Sequence, residues 1–242
     1  MIIEEEVLIL KEVNYKENDK ILHALSKTKG KIQLLSRGCK KNNSPLINVS
    51  QLFAYSRCSL YKTKDMFIIN SAELIDNFYN IRNNMNALLY GSYILELIGY
   101  VASENDVGIN IFNMTISIIR YFSQFNKDFD KITTAYELKL VSMLGFKPDF
   151  SNCLSCGEKL NPSINYLKFI INEGGFYCPD CVKYGNGINL TYNEILTINR
   201  ILKSKFDDIS SIDNINDKIL NAIRQFLFYH IGKSNFTTLK LL

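Results

Sequence analysis

Residues 4–38, EEEVLILKEVNYKENDKILHALSKTKGKIQLLSRG, carry the pattern that decides the fold. EEEVLILKEVNY alternates, DKILHALSK follows after a polar turn, and Lys29-Gly30 predicts a hairpin into KIQLLSRG. Beyond the loop CKKNNSP, two more strand-like runs, SQLFAYSRCSLYKT and MFIINSAELI, are separated by the polar KTKD. Five short strands with no helical period among them predict a small closed barrel, of the five-stranded kind (OB-fold) used by oligonucleotide binders. Closure also leaves no free strand edge.

From about residue 79 the period changes. NNMNALLYGSYILELIGYVAS, INIFNMTISIIRYFSQF and KITTAYELKLVSMLGF place apolar residues at helical spacing and predict three helices. GFKPDFSNCLSCGEKLNPS then announces a loop-rich insertion. Thr191 and Glu194 form a capping box for the helix that follows, and a last helix running through Ile215, Ile219, Ala222, Ile223, Phe226 and His230 ends at Gly232. The expected class is α+β: an OB-fold domain over 1–78, then an all-helical domain over 79–242 with an inserted four-cysteine zinc module at about 149–188.

The chain has 242 residues, 47% apolar and 21% charged, so it can bury a real core. Its net charge of +4 is modest, but Lys27–Lys64 holds seven lysines and two arginines and no aspartate or glutamate. A local excess of this kind attracts a polyanion, whereas dispersed lysines mainly serve solubility. The N-terminus is acidic and does not resemble a secretory signal. The most apolar run, residues 87–102, is interrupted by Glu96 and is shorter than the roughly 20 residues a bilayer requires. No membrane attachment and a cytoplasmic location are expected, and reduced thiols there favour metal ligation or isolated core thiols over disulfides.

Cys153-Leu-Ser-Cys156 and Cys178-Pro-Asp-Cys181 are the most specific feature. Each CxxC knuckle supplies two thiolates from a tight turn, and two knuckles side by side complete a tetrahedral zinc site. YLKFIINEGGFYC reads as a hairpin leading into the second knuckle. A redox dithiol pair is the other use of such cysteines. Four thiolates fill the tetrahedron and leave no position for catalytic water, so one zinc here is structural and no enzymatic role is expected. His23 and His230, the only two histidines, lie outside any zinc-hydrolase or deaminase motif. His23 reads as an ordinary barrel residue and His230 as a cation at the negative end of a helix dipole. Cys39, beside Lys40 and Lys41, reads as a spectator thiol.

In KIQLLSRG, Lys31, Gln33 and Arg37 share one strand face, and in LFAYSRCSLY so do Phe53, Tyr55, Arg57 and Tyr61. Rings interleaved with cations suit single-stranded nucleic acid, which needs stacking platforms and phosphate neutralisation; the alternative use of the rings is to fill the barrel or its contact with the helices. The candidate contacts are Lys29, Lys31, Arg37, Lys40, Lys41, Arg57, Lys62 and Lys64.

The order of these parts resembles the bacterial RecO family of recombination mediators. The resemblance rests on YKENDKILHALSKTKGKIQLLSRGCKK, YILELIGYVASEN, YELKLVSMLGFKPDFSNCLSCG and EGGFYCPDC, and spans nearly the whole chain. It implies an OB-fold that binds single- and double-stranded DNA, a helical domain carrying a zinc module, and no turnover. It implies annealing of complementary strands and, with RecR, loading of recombinase onto DNA coated by single-stranded-DNA-binding protein, whose C-terminal tail docks on the helical domain. It implies zinc ligation by Cys153, Cys156, Cys178 and Cys181, and work on the nucleoid during repair. Without the resemblance, an OB-fold RNA-binding factor with a structural zinc module is the nearest alternative, and an adaptor for an acidic protein partner a further one.

Overall fold

The first strand, β1 (Ile2–Tyr15), is long enough to pair on both edges: its first half runs antiparallel to β4 (Tyr55–Lys62) and its second half to β2 (Asp19–Ser26). The structure, a computed structural model, describes residues 2–64, 66–103, 108–182, 187–213 and 215–242. β2 continues through a turn at 27–29 into β3 (Gly30–Ser36), with Gly30 at φ +66, a left-handed conformation that glycine adopts without steric cost. β5 (Phe67–Asp76) pairs antiparallel with β4 and parallel with β3, closing the order β1-β2-β3-β5-β4 into a barrel. This is the expected five-stranded topology.

The alternation read from the sequence is what fills the barrel. Leu22, Ala24, Ile32, Leu34, Cys58 and Leu60 point inward with Val7 and Ile9, and Cys39 joins them from the following loop, inaccessible as an isolated thiol. The segment SQLFAY departs from the strand expected of it: residues 48–50 make a 3-10 turn, Phe53 takes φ +69, and β4 starts only at Tyr55. A left-handed residue cannot sit in a regular ladder, and here it buries the Phe53 ring completely, against Gly91 and beneath Arg82.

The chain divides into two compact units, one of residues 1–126 with 236–242 and the other of residues 127–235. In the first, α1 (Met85–Val101) and α2 (Ile109–Gln124) accompany the barrel. Glu96 is the acid that interrupts the apolar run of α1, and its carboxylate accepts the N–H groups of Thr237 and Thr238, both at 2.9 Å. It thereby satisfies donors that open the 3-10 turn at 238–241, while Phe236 packs edge-on against Tyr93 and Tyr100. No helix among the described residues is long and apolar enough to cross a membrane.

The second unit is built on α3 (Phe129–Met143), α4 (Tyr192–Lys203) and α5 (Asp217–Ile231). The capping box at Thr191 and Glu194 is present in both directions, and Gly232 ends α5 at φ +69 as expected. Lys139 of α3 donates to the carbonyl of Ser204 at 2.6 Å, just past the C-terminus of α4. β6 (Leu167–Ile170) lies between β7 (Gly175–Tyr177) and β8 (Ile188–Leu190) in a small antiparallel sheet. The β6–β7 hairpin leads into the second cysteine pair, as YLKFIINEGGFYC predicts.

Candidate nucleic-acid interface and metal centre

The four cysteines of the two CxxC pairs come together. Their Sγ atoms all lie within 4.8 Å of one another, and Cys156 and Cys178 are 3.7 Å apart. A tetrahedron with metal–sulfur bonds of about 2.3 Å requires sulfurs about 3.8 Å apart, so the spacing fits. Backbone bonds set the turns: the Gly157 N–H reaches the Cys153 carbonyl at 3.0 Å, and the Cys181 N–H reaches the Cys178 carbonyl at 3.0 Å. The knuckles are joined by an N–H of Cys178 donated to the Cys153 sulfur at 3.3 Å and a bond from the Leu154 N–H to the Phe176 carbonyl at 2.9 Å. That crossing sets Leu154 against Gly175, where a Cβ would lie 2.8 Å from the leucine side chain and would force it to shift.

The charges also fit a cation. Burial pushes the Cys153 thiol up, but N–H groups of Cys156, Cys178 and Ser155 outweigh it and bring it down to about 7. Burial, with neighbouring thiols adding to it, pushes Cys178 up to about 12. Sulfurs this close oppose one another's ionisation, and a divalent ion among them reverses that opposition. These four residues can hold a metal, and with no fifth protein group needed the donor set suits a structural role.

His230 corrects an expectation. It is not a helix-dipole cation: the ring stacks on Phe146 at 4.5 Å and meets Phe226 edge-on at 4.4 Å, and burial holds its pKa below the ordinary value, outweighing the bond from Nε2 to the Ile171 carbonyl. That direction favours the neutral imidazole over the cation.

On the barrel, the acid-free stretch does have counter-charges, supplied by β1. Register places Glu6 opposite Arg57, and the Glu6 carboxylate lies 2.9 Å from the Lys27 ammonium and 3.4 Å from Arg57. Arg57 also faces Glu73 at 4.0 Å, and Lys29 lies 3.8 Å from the buried Glu5. The Tyr55 hydroxyl, the largest influence on Glu6, donates to it at 2.6 Å and with Lys27 draws the carboxyl below its ordinary value. Of the three rings expected on one face, Phe53 is buried, Tyr55 is held by Glu6 with its phenol pushed up to about 12 chiefly by burial, and only Tyr61, 49% exposed, is open.

The other cations fall into two groups at the two ends of β3. Arg37, Lys40 and Lys41 are exposed in the loop after it, and that loop is tied to the β1–β2 turn by the Lys40 N–H to the Asn18 carbonyl and the Gly38 N–H to Asp19. Lys31 at its start, with Lys62 and Lys64 on the β4–β5 turn, lines a cleft of about 160 Å³ that also includes His23, Gln33 and Thr63. Strands 2 and 3 with the turns between strands 1–2 and 4–5 are the surface through which five-stranded barrels of this topology take oligonucleotides. Lys31, Gln33 and Leu35 point outward on that surface while Ile32 and Leu34 point inward, as their alternation predicts.

The fold and these two sites define a class: an α+β protein with an oligonucleotide-binding type of barrel, helices, and a four-cysteine module. The comparisons with known proteins narrow it. The family model described as "Recombination protein O N terminal" matches residues 1–78, and "Recombination protein O C terminal" matches residues 82–240. The chain is 30% identical over 217 residues to DNA repair protein RecO of Acetivibrio thermocellus, covering 89% of this chain and 85% of the relative. It is 27% identical over 245 residues to DNA repair protein RecO of Alkaliphilus metalliredigens, covering 100% of this chain and 98% of that one. The chain belongs to the RecO family of DNA repair proteins.

Proposed function

We infer that this chain is a recombination mediator that binds DNA through its barrel, anneals complementary single strands and, with RecR, helps recombinase onto DNA coated by single-stranded-DNA-binding protein. Family membership across both halves of the chain carries the reading. The barrel supports it: six cations, Lys31 in β3, Arg37, Lys40 and Lys41 in the loop after it, and Lys62 and Lys64 at the β4–β5 turn, form no ion pair among the described residues. A cationic surface that holds two strands lowers their mutual repulsion and so the barrier to pairing, with no bond made or broken. In this reading the protein is not an enzyme, contacts both single- and double-stranded DNA, and works in the cytoplasm at the nucleoid. The tail of single-stranded-DNA-binding protein docks on the helical part. Lys29 and Arg57, engaged by Glu5, Glu6 and Glu73, contribute less to DNA affinity than the other six.

Zinc is the metal this donor set selects, held by Cys153, Cys156, Cys178 and Cys181. Its contribution is to fold residues that have little core of their own.

The test is annealing of complementary strands precoated with single-stranded-DNA-binding protein. Native protein is compared with a variant in which Arg37, Lys40, Lys41 and Lys62 are changed to glutamate. Rapid annealing lost in a folded, zinc-loaded variant is expected. Absence of annealing by the native chain, with a preference for structured RNA, would move the assignment to an RNA-binding factor.

A further inference from the structure

The cleft at the start of β3 is more specific than a basic surface. It draws His23 from β2, Lys31 and Gln33 from β3, and Lys62, Thr63, Lys64, Met66 and Phe67 from the β4–β5 turn. His23 stands opposite Gln33 in the strand register, so both line one wall. The facing turn is closed by its own bonds, the Thr63 N–H and hydroxyl both donating to the Met66 carbonyl at 2.9 and 2.6 Å. Lys62 and Lys64 are therefore presented from a fixed frame. Lys31 is fixed too, since its ammonium donates to the Gly99 carbonyl at 3.0 Å, in the last turn of α1. The cleft lining contains no carboxylate among the described residues; Asp65, next in the chain to Lys64, lies outside them.

The rest of the basic stretch behaves differently. Lys27, Lys29 and Arg57 are neutralised by carboxylates of β1 and β5, whereas Lys31, Lys62 and Lys64 form no ion pair among the described residues. Positive charge without an ion pair among the described residues is thus gathered around one hollow with the Gln33 amide and the His23 imidazole in its lining. We propose that this cleft is a phosphate seat: it takes one phosphate group of a nucleic-acid strand between Lys31, Lys62 and Lys64, with His23 taking up a proton to complete its donors.

The electrostatics around His23 agree with the geometry. Burial first, then Lys11 opposite it on β1 and Lys31 on β3, hold its pKa below the ordinary value, and Lys62 and Lys64 face the same hollow from the turn. A phosphate placed there reverses the sign of the local charge and favours the imidazolium. Binding and protonation are then linked: affinity rises as the pH falls below the pKa that His23 has in the complex. The proposal rests on the reading of this chain as a nucleic-acid binder and adds the ligand group and the pH dependence of its barrel site.

Because the chain has two histidines, imidazole NMR signals can be followed one by one, with His230 as internal reference. The zinc-loaded protein is titrated from pH 8 to 5 alone, with inorganic phosphate, and with a short oligothymidylate carrying or lacking a 5′-phosphate. A rise in the His23 pKa with phosphate and with oligonucleotide, His230 unmoved, is expected. Affinity should grow about two- to fourfold between pH 7.5 and 6 for a pKa rise of about one unit. The gain should vanish in His23→Gln, and Lys62→Gln with Lys64→Gln should abolish the phosphate response. If the His23 shift needs the 5′-phosphate, the seat reads strand ends; if it does not, it holds an internal phosphodiester. Oligonucleotide bound at native affinity by the double lysine variant, with His23 unmoved in the native chain, overturns the seat and leaves the DNA reading intact. Should the native chain bind no oligonucleotide, the DNA reading fails, and inorganic phosphate alone decides the seat: a shift of His23 upholds it and no shift overturns it.

Discussion

Glu137 is fully buried on α3, and the Arg224 guanidinium of α5 reaches it at 3.1 Å. Removing one partner of such a pair strands a charge without water, whereas removing both does not. Arg224→Met should lower the unfolding free energy by about 3–5 kcal/mol, and adding Glu137→Leu should recover most of it, as denaturant unfolding of each variant would report. A double variant no more stable than Arg224→Met alone would mean that the pair has wider partners. This kind of contact is illegible in the sequence, because ELKL gives a glutamate on a helix but nothing in it points 87 positions on to Arg224. The same blindness affected the basic stretch. A window of 38 consecutive residues contains no acid, yet strand register brings Glu5 and Glu6 across from Lys29, Lys27 and Arg57. Sign counts along a chain ignore lateral pairing, which decides charge in a sheet. The cysteine cluster was legible because metal-binding chemistry demands a spacing, and spacing is a property of sequence.

Elements were legible where period and punctuation agreed. Strands β2, β3 and β5 and the five α-helices among the described residues fall where alternation, helical spacing and capping residues put them. Residues 48–53 did not, since apolar SQLFAY has the composition of a strand and only the left-handed backbone at Phe53 breaks it. At α4 the capping box does more than start a helix. Glu194 accepts the Thr191 N–H at 2.8 Å and the Asn216 side-chain amide at 2.9 Å, while Asn216 caps α5 through the Ile219 N–H at 3.0 Å. Thr191→Ala should therefore cost about 1 kcal/mol in thermal or chemical unfolding. Burial raises the Glu194 pKa, but the Thr191 N–H, Asn216, the Thr191 hydroxyl and Lys218 outweigh it and draw the carboxyl below its ordinary 4.5. A lowered carboxylate pKa means that the unfolded chain binds the proton more readily, so this contribution is full above about pH 4.5 and is lost as the pH falls through the folded value. Glu194→Gln should flatten the stability profile on the acid side of 4.5 and leave its neutral shape alone. An unchanged acid slope would assign that slope to other carboxylates.

At the scale of the whole molecule, the two sites respond to different reagents. The four cysteines able to hold a metal lie within residues 153–181 of one unit, while the cations stand on the barrel of the other. If the proposed zinc folds the module, chelation should remove hydrogen-exchange protection from β6 and β7 and leave β1 to β5 protected, because the barrel holds no such ligand set among the described residues. The proposed DNA surface should answer to salt instead. A net charge of +4 spread evenly would give weak, diffuse attraction, but six cations in two groups at the ends of β3, without an ion pair among the described residues, can each displace a counterion from a phosphate. If all six, Lys31, Arg37, Lys40, Lys41, Lys62 and Lys64, touch phosphate, the logarithm of affinity for a single strand should fall with a slope of about −4 against the logarithm of salt, at about 0.7 per contact. Lys40→Gln with Lys41→Gln should bring the slope to about −3 by the same rule, whereas Arg57→Gln should leave it nearly unchanged, since Glu6 and Glu73 already occupy that guanidinium. Binding isotherms from 50 to 300 mM salt separate these outcomes. A slope that Arg57→Gln reduces as much as the loop lysines do would show that DNA displaces the carboxylates of β1 and β5, and would extend the interface around the barrel to the β4 face.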